Sequence, residues 1–301
     1  YGDHRDLHSF PPRRSSDLPV RVFDRQGRLL ESLTANVGKV ASGRFSPSGT
    51  CVLVAFRDGT ARLWQLGRTA APTLACSKSL GPRAVVSASG QRILTLNGRE
   101  VLLWDGDGRP QGSLQLPDLV FWAEFSPDET RIATCGRKQD ARLWSSAGKL
   151  LAVFPGGKPN LRKVHFSPAG DRLLAVDITG PPTLWSERGT LLARWPVACT
   201  SANSQVLFSP DGGRVLWVDS DKNVCLADPF GQEILKPPQE PGSTPYLAWS
   251  PGGDRFLASS ENGRLRLWER SGRPLADFSV KSLARGQAAF AQGGQSLVVG
   301  L

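Results

Sequence analysis

Phe208-Ser209-Pro210-Asp211-Gly212 is one copy of a pentapeptide that returns along this chain with almost no drift. The other full copies are Phe45-Ser46-Pro47-Ser48-Gly49, Phe125-Ser126-Pro127-Asp128-Glu129, Phe166-Ser167-Pro168-Ala169-Gly170 and Trp249-Ser250-Pro251-Gly252-Gly253. Val86-Ser87-Ala88-Ser89-Gly90 and Phe290-Ala291-Gln292-Gly293-Gly294 are degraded copies in the same phase. Successive steps from Phe45 to Phe290 are 41, 39, 41, 42, 41 and 41 residues. A fixed period of this size marks a repeat architecture.

Working outward from the pentapeptide, a second marker keeps the same period. An apolar residue followed by an aromatic occurs as Val22-Phe23, Leu63-Trp64, Leu103-Trp104, Leu143-Trp144, Leu184-Trp185 and Leu267-Trp268, with Leu226-Ala227 in the remaining place. A glycine follows three or four residues later, at Gly27, Gly67, Gly108, Gly148, Gly189, Gly231 and Gly272. A period of about 40–45 residues is the length of a four-stranded propeller blade.

The stretch from Ala41 to Cys76 shows how one repeat reads physically. Phe45-Ser46-Pro47 ends a strand, because proline cannot donate to a ladder. Ser48-Gly49 supplies turn chemistry. Cys51 to Phe56 is an apolar, β-prone run suited to a strand buried on both faces. Asp58-Gly59 signals a tight hairpin, Thr60 to Trp64 a third strand, and Gly67 a turn toward a fourth strand near Thr73 to Cys76. Four such strands make a blade with two apolar faces, which is stable only between neighbours. The recurring tryptophan is large enough to fill the space between blades.

With 32 Gly and 23 Pro in 301 residues, the composition favours many short strands over long helices. No apolar run approaches the roughly 18 residues that span a bilayer. Residues 1–18 lack the apolar core of a secretory signal. We expect a soluble, cytoplasmic chain with no membrane partner. Cys51, Cys76, Cys135, Cys199 and Cys225 form no CxxC pair and are read as fillers of small buried sites. The net charge is +10, but the arginines are spread over equivalent repeat positions such as Arg62, Arg142 and Arg266. That pattern reads as a solvated basic surface, so nucleic acid is not the expected partner; the charge is compatible with an acidic protein partner.

Residues 8–18, HSFPPRRSSDL, resemble the translation of a sequencing adapter, and the chain contains no methionine. Residues 1–18 are therefore expected to be a non-native, disordered segment, and the chain a fragment. Residues 19–301 are expected to form the repeat domain.

The Phe-Ser-Pro-Asp-Gly strand ends, the Asp58-Gly59, Asn97-Gly98 and Asn262-Gly263 hairpins, and the Ala-Arg-Leu-Trp strands resemble the WD-repeat β-propeller family from about Val20 to Leu301. The resemblance implies an all-β fold of four-stranded antiparallel blades. Its Gly-His pair is missing here, and its Trp-Asp pair survives only at Trp104-Asp105. We therefore expect the family's buried Asp-His-Ser-Trp network to be incomplete in every blade. The period predicts a seven-bladed β-propeller, one blade shared between the N-terminal strands (Val20 to Phe23, Arg28 to Leu33) and the C-terminal ones (Gln287 to Phe290, Ser296 to Val299).

Candidate chemistry is sparse. His165 stands within a strand with no second ligand at metal spacing. Asp105-Gly106-Asp107-Gly108 falls where each repeat turns, and Arg109 occupies the next position of a calcium loop. Gly106, Gly108 and Gly112 open no helix that would cradle a phosphate. No catalytic, cofactor-binding or metal residue is assigned, and no cofactor is expected. In propellers of this type the loops entering each first strand form a rim. The residues there are Arg83, Phe121, Trp122, Arg162, Lys163, Gln205, Tyr246 and Arg285, of types that interface hot spots favour. The expected function is a non-catalytic scaffold, monomeric as an isolated propeller, that binds a protein partner on this rim. One alternative is a sensor or autoinhibitory module of a larger bacterial effector protein, as the style of Gly148 to Ala152 resembles. Another is a ligand-binding or enzymatic propeller using its central channel, where Glu124 and His165 would be the polar residues.

Overall fold

The computed structural model describes residues 20–23, 28–33, 40–45, 51–56, 58–66, 73–75, 84–155, 161–177, 180–196, 206–219, 221, 223–232, 235–236, 246–259, 263–279, 288–291, 294 and 296–299. Among these, the regular structure is β-strand, and no helix is long and apolar enough to cross a membrane. The described strands follow the repeat. Sheet A pairs β1 (Val20–Phe23) with β2 (Leu29–Leu33). Sheet B meanders through β3 (Val40–Phe45), β4 (Cys51–Phe56), β5 (Thr60–Gln65) and β6 (Thr73–Ala75). Sheet C holds β7 (Ala84–Val86), β8 (Arg92–Asn97), β9 (Glu100–Asp105) and β10 (Pro110–Gln115). Sheet D holds β11 (Val120–Phe125), β12 (Arg131–Gly136), β13 (Gln139–Ser145) and β14 (Leu150–Phe154). Sheet E follows with β15 (Leu161–Phe166), β16 (Arg172–Asp177), β17 (Thr183–Ser186) and β18 (Leu191–Arg194). Sheet F is β19 (Val206–Phe208), β20 (Val215–Val218) and β21 (Val224–Ala227), extended by a bridge between Leu226 and Leu235. Sheet G is β22 (Tyr246–Trp249), β23 (Arg255–Ser259), β24 (Arg264–Glu269) and β25 (Pro274–Ser279), and sheet H pairs β26 (Ala288–Ala291) with β27 (Ser296–Val299). The chain is all-β, built of the four-stranded antiparallel blades that the period predicts. It divides into two compact units, Tyr1–Val153 and Phe154–Leu301.

The Ser-Pro motif forms the turn between first and second strands. In each described copy the serine is buried: Ser87, Ser126, Ser167, Ser209 and Ser250. Its amide bonds to the carbonyl five residues on, and its Oγ accepts the amide of that same residue, for example Arg214 N to Ser209 Oγ at 2.9 Å. The fourth residue turns with positive φ, as Gly90, Gly170, Gly212 and Gly253 do. Glu129 takes this glycine position at φ 58. The strain is of order 1 kcal/mol, and it is offset by a carboxylate that accepts hydrogen bonds from the Ser89 amide and Oγ in the neighbouring sheet C.

Each buried Oγ from sheet D onward donates to one turn carboxylate, but the carboxylate changes place. Asp128 and Asp211 stand two residues after their serine, at 2.5 and 2.6 Å. Asp171 and Asp254 stand four after theirs, at 2.6 and 2.7 Å. The Ser126 hydroxyl holds the Asp128 carboxyl down at about 2. Arg270 and then Ser209 hold Asp211 further below the usual carboxylate range. Serine bonds also lower Asp171 and Asp254. A carboxyl depressed in the folded state contributes stability above its unfolded value of about 4, and that stability is lost as pH falls through the folded value. Urea midpoints should therefore hold steady above about pH 4 and fall toward pH 2. Asp211→Asn should flatten that decline, and an unchanged slope would refute the assignment.

Three tryptophans pack their sheet onto the one before it. Trp64 lies with Val20 and Val22 of sheet A, Trp144 with Leu114 and Leu116 of sheet C, and Trp268 with Leu216 and Leu226 of sheet F. Part of the polar network expected to be incomplete does persist: the indole N–H donates to threonine in Trp104–Thr95 (3.0 Å), Trp144–Thr134 (2.9 Å) and Trp185–Thr183 (3.0 Å). In four repeats the residue after the tryptophan, or after Ala227 in sheet F, caps the next turn: Asp105, Ser145, Ser186 and Asp228 each accept the amide four residues on.

Sheet F solves the packing differently. Ala227 occupies the tryptophan place, opposite Val215, while Trp217 stands two residues further along β20, where sheets C and D carry Thr95 and Thr134. The bulky ring has crossed from the third strand to the second on one face. Trp217 is 0% exposed and meets the Trp195 ring at 4.7 Å between centroids. The Trp195 indole donates to the Pro229 carbonyl at 3.1 Å.

Candidate functional site

First strands approach the preceding sheet within each unit: β7 lies against β4 and β11 against β8 in one, and β22 touches both β19 and β26 in the other. Three first strands carry a β-bulge at their entry. The ladder skips Ala41 in β3, Phe121 in β11 and Arg162 in β15. A bulge adds one residue to its strand and re-aims the side chains around it. Two long side chains in succession, Phe121-Trp122 and Arg162-Lys163, were the sequence sign of the broken alternation.

The described rim residues differ in what they present. Phe121 is 8% exposed and belongs to the packing. Trp122 is half-buried, and its indole donates to the Glu124 carboxylate at 3.0 Å. Arg162 and Lys163 are half-buried on β15. Tyr246 opens β22 with 36% of its surface exposed. Trp122 thus stands in one unit, and Arg162, Lys163 and Tyr246 in the other. Arg83, Gln205 and Arg285 lie outside the described residues.

Among the described residues, no group of three or more His, Cys, Asp or Glu is placed to hold a metal ion. His165 is half-buried in β15, opposite Leu174. In the Asp105 loop the Gly108 amide donates to the Asp105 carbonyl, Asp105 Oδ1 accepts the amides of Asp107 and Arg109, and the Arg109 guanidinium pairs with Asp107 at 3.2 Å. It is an ordinary hairpin turn. Cys51, Cys135 and Cys225 are buried, as read; Cys76 and Cys199 lie outside the described residues. Burial, first, and Asp219 push the Cys225 thiol up to about 12, so it is protonated and a poor nucleophile.

The equivalent arginines depart from the solvated surface expected of them. Arg62, Arg142 and Arg266 are half-buried on the tryptophan face of their third strands, and long alkyl stems pack there readily. Arg266 Nε donates to Asp277 at 2.9 Å. The Nε atoms of Arg62 and Arg142 are buried with no acceptor among the described residues. The sequence showed this position as a repeat but not its burial, and the wandering turn carboxylate was not found; comparing the turns by offset, rather than by identity, would have shown the latter.

The WD40 family model, described as "WD domain, G-beta repeat", matches residues 27–65 and 246–269, which are β2 to β5 and β22 to β24. Over these two stretches the chain is similar to the WD-repeat family. Transcription initiation factor TFIID subunit 5 of Caenorhabditis elegans is 23% identical over 211 residues, covering 66% of this chain and 32% of that protein. Intraflagellar transport protein 80 homolog of Mus musculus is 23% identical over 252 residues, 74% of this chain and 30% of that protein. SIR4-interacting protein SIF2 of Saccharomyces cerevisiae is 27% identical over 160 residues, 48% of this chain and 30% of that protein. The chain thus spans about a third of the length of these relatives. All three are eukaryotic, so they lend no support to the bacterial style read from the repeats.

Proposed function

We propose that this WD-repeat chain is a non-catalytic scaffold that binds a protein partner at the entries of its first strands. The observation that carries the reading is the bulged strand entry of β11 and β15, which presents Trp122, Arg162 and Lys163 from a rigid sheet rather than from a loose loop. Rigid placement of aromatic and cationic anchors lowers the ordering cost of binding. The similarity to a transcription-factor subunit, a transport protein and a SIR4-interacting protein supports a protein as partner. Partner capture should be compared between the parent chain and the Lys163→Glu/Tyr246→Ala variant, with thermal melts confirming that both are folded. The expected result is loss of specific partners from the variant. An identical set captured by both would sink the rim reading. The seven-blade count is likewise proposed, on the arithmetic of the repeats.

A further inference from the structure

Three repeats place an arginine two residues before the third-strand tryptophan, and among the described residues only one of the three meets an acid across its ladder. In sheet G, Arg266 stands opposite Asp277 in the ladder, and Asp277 takes hydrogen bonds from Arg266 Nε at 2.9 Å and Arg264 at 3.3 Å. In sheet B the residue opposite Arg62 is Thr73. In sheet D, Val153 stands 11 residues after Arg142, as Asp277 stands 11 after Arg266. Arg142 consequently buries its Nε unmatched, which is costly for a cationic group unless something supplies the acceptor.

The same place carries a second sign of incomplete burial. β14 is the terminal strand of sheet D, and no described strand pairs with its outer edge. Leu150, Leu151 and Val153 on it are 41%, 47% and 40% exposed. Apolar edge strands of this kind template the addition of another strand. The only charge next to them in sequence is Lys149, again a cation.

We propose that Arg142 and the outer edge of β14 form a docking site for an extended, largely apolar segment of a partner protein whose Asp or Glu fills the role that Asp277 plays for Arg266. Charge complementarity selects the acid, and the exposed leucines and Val153 select its apolar flanks. The site rests on the reading of the chain as a binding platform, but not on the first-strand rim.

Panning a phage-displayed linear dodecamer library on the full chain, with the selected peptides resynthesised for anisotropy titration, tests this. Selected peptides should carry Asp or Glu among apolar residues. They should bind Arg142→Gln about tenfold more weakly, the loss of one charged hydrogen bond. Val153→Asp, which installs the internal acid, should block them equally, and it keeps the test decisive if Arg142→Gln misfolds. Tyr246→Ala should leave them bound, so failure of the rim reading would be seen separately. Peptides without an acid, full affinity for Val153→Asp, or no selected peptide that depends on Arg142 would each overturn the proposal.

Discussion

Gly231→Ala should destabilise the chain by about 3 kcal/mol or more, combining a positive-φ penalty with overpacking of a rigid ring. A Cβ at Gly231 would fall 2.4 Å from Trp195 Cδ1 and 2.5 Å from Cγ, and the residue has φ +74. Trp195 cannot retreat easily: it is 1% exposed, hydrogen-bonded to Pro229 and packed on Trp217. Gly189 provides the matched control, since it occupies the same repeat turn at φ +86 with nothing within 4 Å of its Cβ. Gly189→Ala should cost only about 1 kcal/mol, the backbone strain alone. Thermal melts followed by near-UV circular dichroism would show the difference. Equal losses in the two variants would mean that the Trp195 contact is not what makes Gly231 necessary.

The second large effect concerns the tryptophan that changed strands. Trp217→Thr should cost about 3–5 kcal/mol, as expected for removing a large buried ring. Ala227→Trp alone should also destabilise, because the space is already filled by Trp217. Combined, the two changes recreate the arrangement of Thr134 and Trp144 in sheet D, including an indole N–H with a hydroxyl to receive it. Trp217 finds no such acceptor among the described residues. The double variant should therefore recover at least about 2 kcal/mol relative to the sum of the single losses, a coupling of the size seen between contacting residues. Additive losses in urea titrations would refute the swap.

The strands were legible because their signals are local and repeated. Val20–Phe23, Cys51–Phe56 and Ser296–Val299 fall where the sequence placed them, and the burial of all six residues of Cys51–Phe56 matches a run with no polar alternation. The tryptophan packing was legible for the same reason. Less visible was anything that depends on a partner across the sheet. Thr95 and Thr134 look like ordinary strand residues until register sets them beside an indole. Arg62, Arg142 and Arg266 look identical in sequence, and only the residue opposite separates the satisfied copy from the other two. The rim was read by position alone. Position does not distinguish Phe121, sunk in the packing, from Tyr246, with 36% of its surface exposed, because β11 is bulged at Phe121 and the β22 ladder runs without a bulge.

The turn carboxylates carry a consequence for how such repeats diverge. Compared column by column, half of these turns have lost their aspartate. Counted by charge, each of the turns in sheets D to G has kept one, because a serine hydroxyl can rotate to meet a carboxylate arriving from either side of the turn. What these four turns share is a charge per turn rather than a letter per column. One aspartate can be gained before the other is lost, so a lineage can cross between the two forms without passing through a turn that lacks its acid.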